Sequence, residues 1–342
     1  MKRILLYILS TNVLILCALP GTSQLPIEQS FIFEEASFPQ CHASTLAATP
    51  EGIIVAWFGG THEKHEDVGI WYSRQENGGW SEPHEVANGI QHEDKRYPCW
   101  NPVLYLSEIQ ELLLFYKVGP SPREWWGEYI TSSDFGKTWS KPRRLPEDIL
   151  GPVKNKPIAR SDGKLLCGSS TEHDGWRVHV EIHDAKLDRW KKIDLHSDSV
   201  LQVIQPTLLR HADGRIQMLC RSKNNVIVEA WSMDEGDSWS RLEPVELPNP
   251  NSGIDAATGT DGTYWLIYNP TTVPEGEWGG SRWPLTLARS KDGKEWHKVI
   301  DLEIEPGEYS YPAIIATDDG SLHMSYTWKR ERIKYVRIDP LH

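Results

Sequence analysis

The chain has 342 residues, 39% of them hydrophobic, and a formal net charge of −12 at pH 7. That length permits two domains, but no Pro/Ser-rich linker or low-complexity tract divides it, and closed all-β folds often reach this size. So acidic a chain is ill suited to neutralising phosphates, which argues against a nucleic-acid partner.

At the start, Lys2 and Arg3 precede an apolar run, Ile4–Leu19, and then Pro20-Gly21-Thr22-Ser23-Gln24. A positive segment, an apolar segment and a small-residue zone predict a signal peptide over residues 1–23. The run is short for a membrane span and is broken by Ser10-Thr11-Asn12. Leu16 is too large for the residue that precedes a lipid-bearing cysteine, which argues against lipidation at Cys17. The mature chain, 24–342, is therefore expected to be one exported domain, periplasmic or secreted, with no membrane span. Its Cys41, Cys99, Cys167 and Cys220 fall mostly in strand-like runs and read as buried thiols, although export permits disulfides.

Beyond the leader the chain alternates two kinds of turn. Glu51-Gly52, Asp162-Gly163, Asp213-Gly214, Asp261-Gly262 and Asp319-Gly320 each separate apolar alternating runs, a hairpin signature. A sixth hairpin is expected around Ser107–Gln110. Out of phase with these comes a Ser-x-Asp-x-Gly-x-x-Trp step: Ser132 to Trp139, Ser232 to Trp239, and a shorter copy from Ser290 to Trp296. Ser73 to Trp80 and His183 to Trp190 keep the spacing with less of the pattern. In each good copy the Asp can accept bonds from its own turn, the Gly can take a positive φ, and the Trp can pack beneath. A period of about 50 residues is the mark of a repeat architecture. Six turn units and five boxes predict six units of about four short strands each. The sixth lacks a box, so an N-terminal strand near Phe31–Glu34 is expected to complete it. The fold predicted is all-β: a six-bladed β-propeller of four-stranded antiparallel blades, closed without a free sheet edge.

The repeated step resembles the Asp-box, or BNR repeat, of the sialidase superfamily, and the likeness runs through nearly the whole mature chain. The resemblance implies a glycoside hydrolase in which a Tyr nucleophile is polarised by a Glu, an Asp on a loop is the acid/base, and three Arg hold a carboxylate; the Tyr is an exception among glycosidases. On this chain Asp67, in the loop after Gly59, matches the acid/base. Tyr311 stands about nine residues before Gly320 and matches the nucleophile; Tyr309 lies on the same side of that strand. Arg221 and Arg282 match two of the arginines. Two positions depart from the pattern. Gln205 stands where the Glu is expected, and a neutral amide cannot take the phenol proton. His42 stands where the first Arg is expected.

Trp125 and Trp126, with Arg123, read as a sugar-stacking platform. Lys154-Asn155-Lys156-Pro157, Glu172-His173 and the stretch from Asn249 to Asp255 fall at blade junctions, where Asn251 and Asp255 are expected to contact ligand. His62 and His65 lie three apart in a loop, and no HExxH helix is present, so no metal and no cofactor are expected. The expected activity is removal of a terminal sialic-acid-like or uronic sugar from a glycan by a monomer. Two other readings are a non-catalytic glycan-binding propeller and a lyase on a uronate-containing polysaccharide, with His42 and Tyr311 as base and acid.

Overall fold

A computed structural model describes residues 26–195 and 201–340; the expected signal peptide lies outside them. Among the described residues are twenty-seven strands and no helix. They form six sheets around a ring, plus a two-stranded ribbon. Each blade begins with an innermost strand, and in blades one, two, four and six these are Gln40–Thr49, Cys99–Leu106, Val203–Arg210 and Tyr309–Ala316. Blades three and five begin with the shorter Ile158–Ala159 and Asp255–Thr258. The second and third strands then follow outward as antiparallel neighbours.

The turn units fall between first and second strands, and the boxes between third and fourth. In the boxes the Ser hydroxyl accepts from the Gly amide, at 2.8 Å for Gly136 and Gly236. The Asp carboxylate accepts from the amide of Thr138 or Ser238, each at 2.8 Å. The box glycines have a second reason to be glycine. A Cβ on Gly136 would stand 2.7 Å from Ile54 Cδ1, and one on Gly236 would stand 2.6 Å from Leu166 Cδ2, each on the preceding blade. The boxes thus seal blade against blade.

The hydrophobic core is divided the same way. Apolar clusters fill the junctions, as with Leu166, Val180 and Val203 between blades three and four, or Leu209, Leu219 and Ala256 between four and five. Cys41, Cys99, Cys167 and Cys220 are buried free thiols. Closure uses an N-terminal strand, as expected, but it is Ile27–Phe31 rather than Phe31–Glu34. It pairs antiparallel with Arg332–Ile338, from Ile27 opposite Ile338 to Phe31 opposite Lys334. No helix among the described residues is long and apolar enough to cross a membrane.

Candidate active site

Six residues hold the centre of the ring in a rare backbone conformation. Ala43, Asn101, Lys154, Gln205, Asn251 and Tyr311 have φ of 59°, 41°, 73°, 56°, 60° and 51°, one in each blade. Positive φ is uncommon outside glycine, and a bulky residue such as Tyr is an outlier there. In blades one, four and six it coincides with a bulge in the innermost strand, the register slipping between His42 and Thr45, Ile204 and Thr207, and Ser310 and Ala313. Bulges re-aim side chains, and strained backbone gathers at functional sites.

The result is a polar cluster of residues distant in sequence. Tyr311 Oη accepts from Gln205 Nε2 at 3.1 Å and from Arg221 Nη1 at 2.9 Å. Arg221 Nη1 also donates to Gln205 Oε1 at 3.1 Å, which fixes the amide with its NH₂ toward the phenol. The His42 ring lies 4.3 Å from the Tyr311 ring. His42 is buried, with Nδ1 lacking a hydrogen-bond partner. Burial first, then the positive charges of Arg330, Arg282, Arg221 and Lys154, holds it well below the usual histidine range, so His42 is a neutral imidazole.

The cations around the phenol are anchored differently. Arg221 is buried, its Nη2 bound to Asn251 Oδ1 and O, both at 2.8 Å. Arg282 meets Glu308 Oε1 at 3.5 Å and flanks an open recess of about 450 Å³. Lys154 Nζ is tied to Asn155 Oδ1, Ile254 O and Pro312 O, so it staples blades three, five and six together. Burial, opposed by Asp255, brings its amine down to about 7.

Asp67 lies on the loop Thr61–Val68, where Thr61 N and Oγ1 donate to its carboxylate at 3.0 and 2.6 Å and His65 Nδ1 is 2.7 Å away. Partial burial pushes its carboxyl up, but these bonds outweigh it and hold the carboxyl below the usual range. Glu172 behaves oppositely. It is the more buried carboxyl, held by Trp176 Nε1 at 3.0 Å, and burial raises it against the pull of Arg221. The Trp176 ring in turn lies 5.0 Å from the Arg221 guanidinium.

Four of the expected ligand contacts need correction. Trp125 is buried beside Trp100, Leu150 and Val153, so it is core. Trp126 packs against the core of blades one and two, under the Arg144 guanidinium at 4.5 Å. No two-tryptophan platform exists there, and only Arg123 of that group is exposed. The exposed tryptophans near the arginines are Trp278 and Trp283, on the loop that carries Arg282. Asn251 spends its carbonyls on Arg221. Asp255 is saturated by protein, accepting from Lys156, Thr207 Oγ1, Ala256 N and Ile314 N, and so pins blades three to six together.

Sequence reasoning missed Arg330. It sits in the Trp328–Arg332 turn at φ 59°. With His42, Phe58, Gly60 and Glu63 it lines a small recess beside the His42 ring. Its position between a second and a third strand, like that of Arg282, was the available signal. Glu63 and Glu308, which hold it, carried none. Among the described residues no cluster of three or more His, Cys, Asp or Glu could hold a metal ion.

A ring of six four-stranded blades with a tyrosine and arginines at its axis defines a sialidase-like propeller. Residues 51–324 match the BNR repeat-like domain family, and the chain belongs to that family. It is 21% identical over 229 residues to an anhydrosialidase of Macrobdella decora; the match covers 59% of this chain and only 30% of that relative's length. Among solved structures, a Dyadobacter fermentans protein of unknown function superposes with a TM-score of 0.74 at 15% identity, over 94% of this chain and all of that one. The K499G mutant of NanB sialidase from Streptococcus pneumoniae gives a TM-score of 0.73 at 12% identity, over 90% of this chain and 70% of that one.

Proposed function

We propose that this chain is an exported glycoside hydrolase that removes a terminal acidic sugar, sialic-acid-like or uronic, from a glycan. The observation that carries the reading is the Tyr311 hydroxyl, which accepts from Gln205 and Arg221 at 3.1 and 2.9 Å in a pocket rich in guanidinium groups. Two donors on one phenol oxygen favour negative charge there, which suits attack on, or stabilisation of, a cationic anomeric carbon. Arg221 and Arg282 supply charge for the sugar's anionic group. Trp278 and Trp283 offer exposed rings for a neighbouring sugar. Asp67 serves as the acid once its loop gives up the bonds from Thr61 and His65, since a general acid must carry its proton at the start. The names of the similar proteins, an anhydrosialidase and a sialidase, point the same way.

A second reading, a glycan-binding propeller without turnover, is favoured by one observation: Gln205 beside the phenol has no carboxylate to take its proton. The test is sugar release from α2,3- and α2,6-sialyllactose and from uronate-rich polysaccharides, by the wild type and by Tyr311→Phe. Release of an acidic sugar by the wild type, reduced at least about a hundredfold in the variant, is the expected outcome. Binding without release from any of them would select the second reading.

A further inference from the structure

Arg330 stands where the ring lacks a cation on blade one. It approaches the recess beside His42 from blade six, and of the charges acting on His42 its own is the strongest. Its Nε meets Glu308 Oε1 and Oε2 at 3.1 and 3.0 Å, and its Nη1 meets Glu63 Oε2 at 2.7 Å. The two glutamates differ in kind. Glu308 belongs to the chain leading into the innermost strand of blade six, and the Lys329 amide donates to its backbone carbonyl. Glu63 belongs to the loop Thr61–Val68, the same loop that carries Asp67. A carboxylate on that loop therefore occupies a guanidinium of the pocket, and the pair ties blade one's loop to blade six.

We propose that Arg330 is a binding residue for the anionic group of the ligand, and that the Glu63 carboxylate is the internal occupant which that group displaces. The proposal rests on the acidic-sugar reading above. Charge supports the exchange. With Glu63 in place, Arg282 and Arg330 are balanced by Glu308 and Glu63; with Glu63 displaced, one positive charge is left for an incoming carboxylate. The pocket then holds three guanidinium groups for anions, from Arg221, Arg282 and Arg330, although blade one contributes a neutral His42. Displacing Glu63 also unties the Asp67 loop at the moment the ligand seats, so occupation of the pocket and freedom of the acid become linked. A state whose site is blocked by its own side chain binds more weakly by the fraction blocked, and removing the blocker restores that affinity.

The experiment is calorimetric titration of the intact chain, Glu63→Gln and Arg330→Ala with N-acetylneuraminic acid and D-galacturonic acid, and with the methyl ester of each as the uncharged control. The acid that binds the wild type should bind Glu63→Gln about five- to tenfold more tightly and Arg330→Ala about tenfold or more weakly, the size of a charge-assisted hydrogen bond, while the ester shifts by less than about twofold in both. Glu63→Gln keeps the test open should Arg330→Ala fold poorly. Wild-type preference for acid over ester that survives in Arg330→Ala, with Glu63→Gln no tighter, overturns this proposal alone. Equal binding of acid and ester by the wild type, or no binding of either acid by any of the three proteins, overturns the acidic-sugar reading and this proposal together.

Discussion

Tyr311 has a hydroxyl between two donors, and neither of them can accept its proton. Gln205 turns its NH₂ toward the phenol because its carbonyl oxygen is taken by Arg221. His42, the one neutral base in ring contact with Tyr311, is surrounded by cations and has a poor proton affinity. A carboxylate in place of the amide changes this directly. If the phenol is the reacting group, Gln205→Glu should raise kcat on the order of a hundredfold, the usual contribution of a positioned general base, and Tyr311→Phe should abolish the gain. A folded Gln205→Glu protein with unchanged or lower kcat would remove Tyr311 from the chemistry. Both residues were legible through the resemblance, Tyr311 nine residues before Gly320 and Gln205 about fifteen residues ahead of Arg221; that they meet was not. Arg330 was legible only as a residue between a second and a third strand, a signal it shares with Arg282. Its place depends on a reversal at Lys329 and Arg330, both at positive φ, with no glycine to announce it.

The box is the element in which sequence and structure agree best, and the reason is that its bonds are local. Within eight residues the Asp accepts from the Ser hydroxyl and from the amide before the Trp, and the Ser accepts from the Gly amide. In the second and third boxes the Trp indole donates to the Gly carbonyl, so the spacing carries the whole motif. The contact each box makes on the preceding blade was not legible, since nothing in Ser232 to Trp239 names Leu166. Two glycines of blade four separate these contributions. Gly214 has φ of 89° with nothing within 4 Å of an added Cβ, whereas Gly236 has φ of 92° and would set its Cβ 2.6 Å from Leu166 Cδ2. Gly214→Ala should cost only the left-handed strain, about 1–2 kcal/mol. Gly236→Ala adds overpacking of about 1–3 kcal/mol on top. Urea unfolding of both variants measures the difference, and equal losses would mean that the box does not bear on its neighbour. The same distinction explains the misread tryptophans. Trp125-Trp126 beside charges resembled a platform, but the strand Trp126–Ser132 begins there, and Trp125 fills the core beside Trp100.

At the scale of the molecule, the pocket exists only because the ring is closed: Tyr311 comes from blade six, Gln205 and Arg221 from blade four, His42 from blade one. Closure depends on one short strand. Ile27–Phe31 is the fourth strand of a blade whose other three come from the opposite end of the sequence. Phe31 packs edge-on against Trp328 with centroids 5.3 Å apart, and the Arg332 guanidinium lies 3.8 Å from the Phe31 ring centroid. Deleting residues 24–31 would strip Arg332–Ile338 of its partner and leave an apolar edge unpaired, the feature that invites strand-to-strand association. Five residues of ladder, at about 1 kcal/mol for each hydrogen bond, amount to several kcal/mol, which lowers the thermal midpoint by roughly 10 °C in a domain of this size. The truncated chain should therefore melt earlier and aggregate in proportion to its concentration. A synthetic peptide of residues 24–33 should restore the midpoint by adding the missing strand in trans. The loss should reach the site as well, because the Trp328–Arg332 turn presents Arg330, and the third strand of that blade starts at Arg332. Binding of an acidic sugar should weaken in the truncated protein and recover with the peptide. A truncated chain with an unchanged midpoint would show that the ring is held by its blade junctions alone, with the N-terminal strand lying on a ring that is already stable.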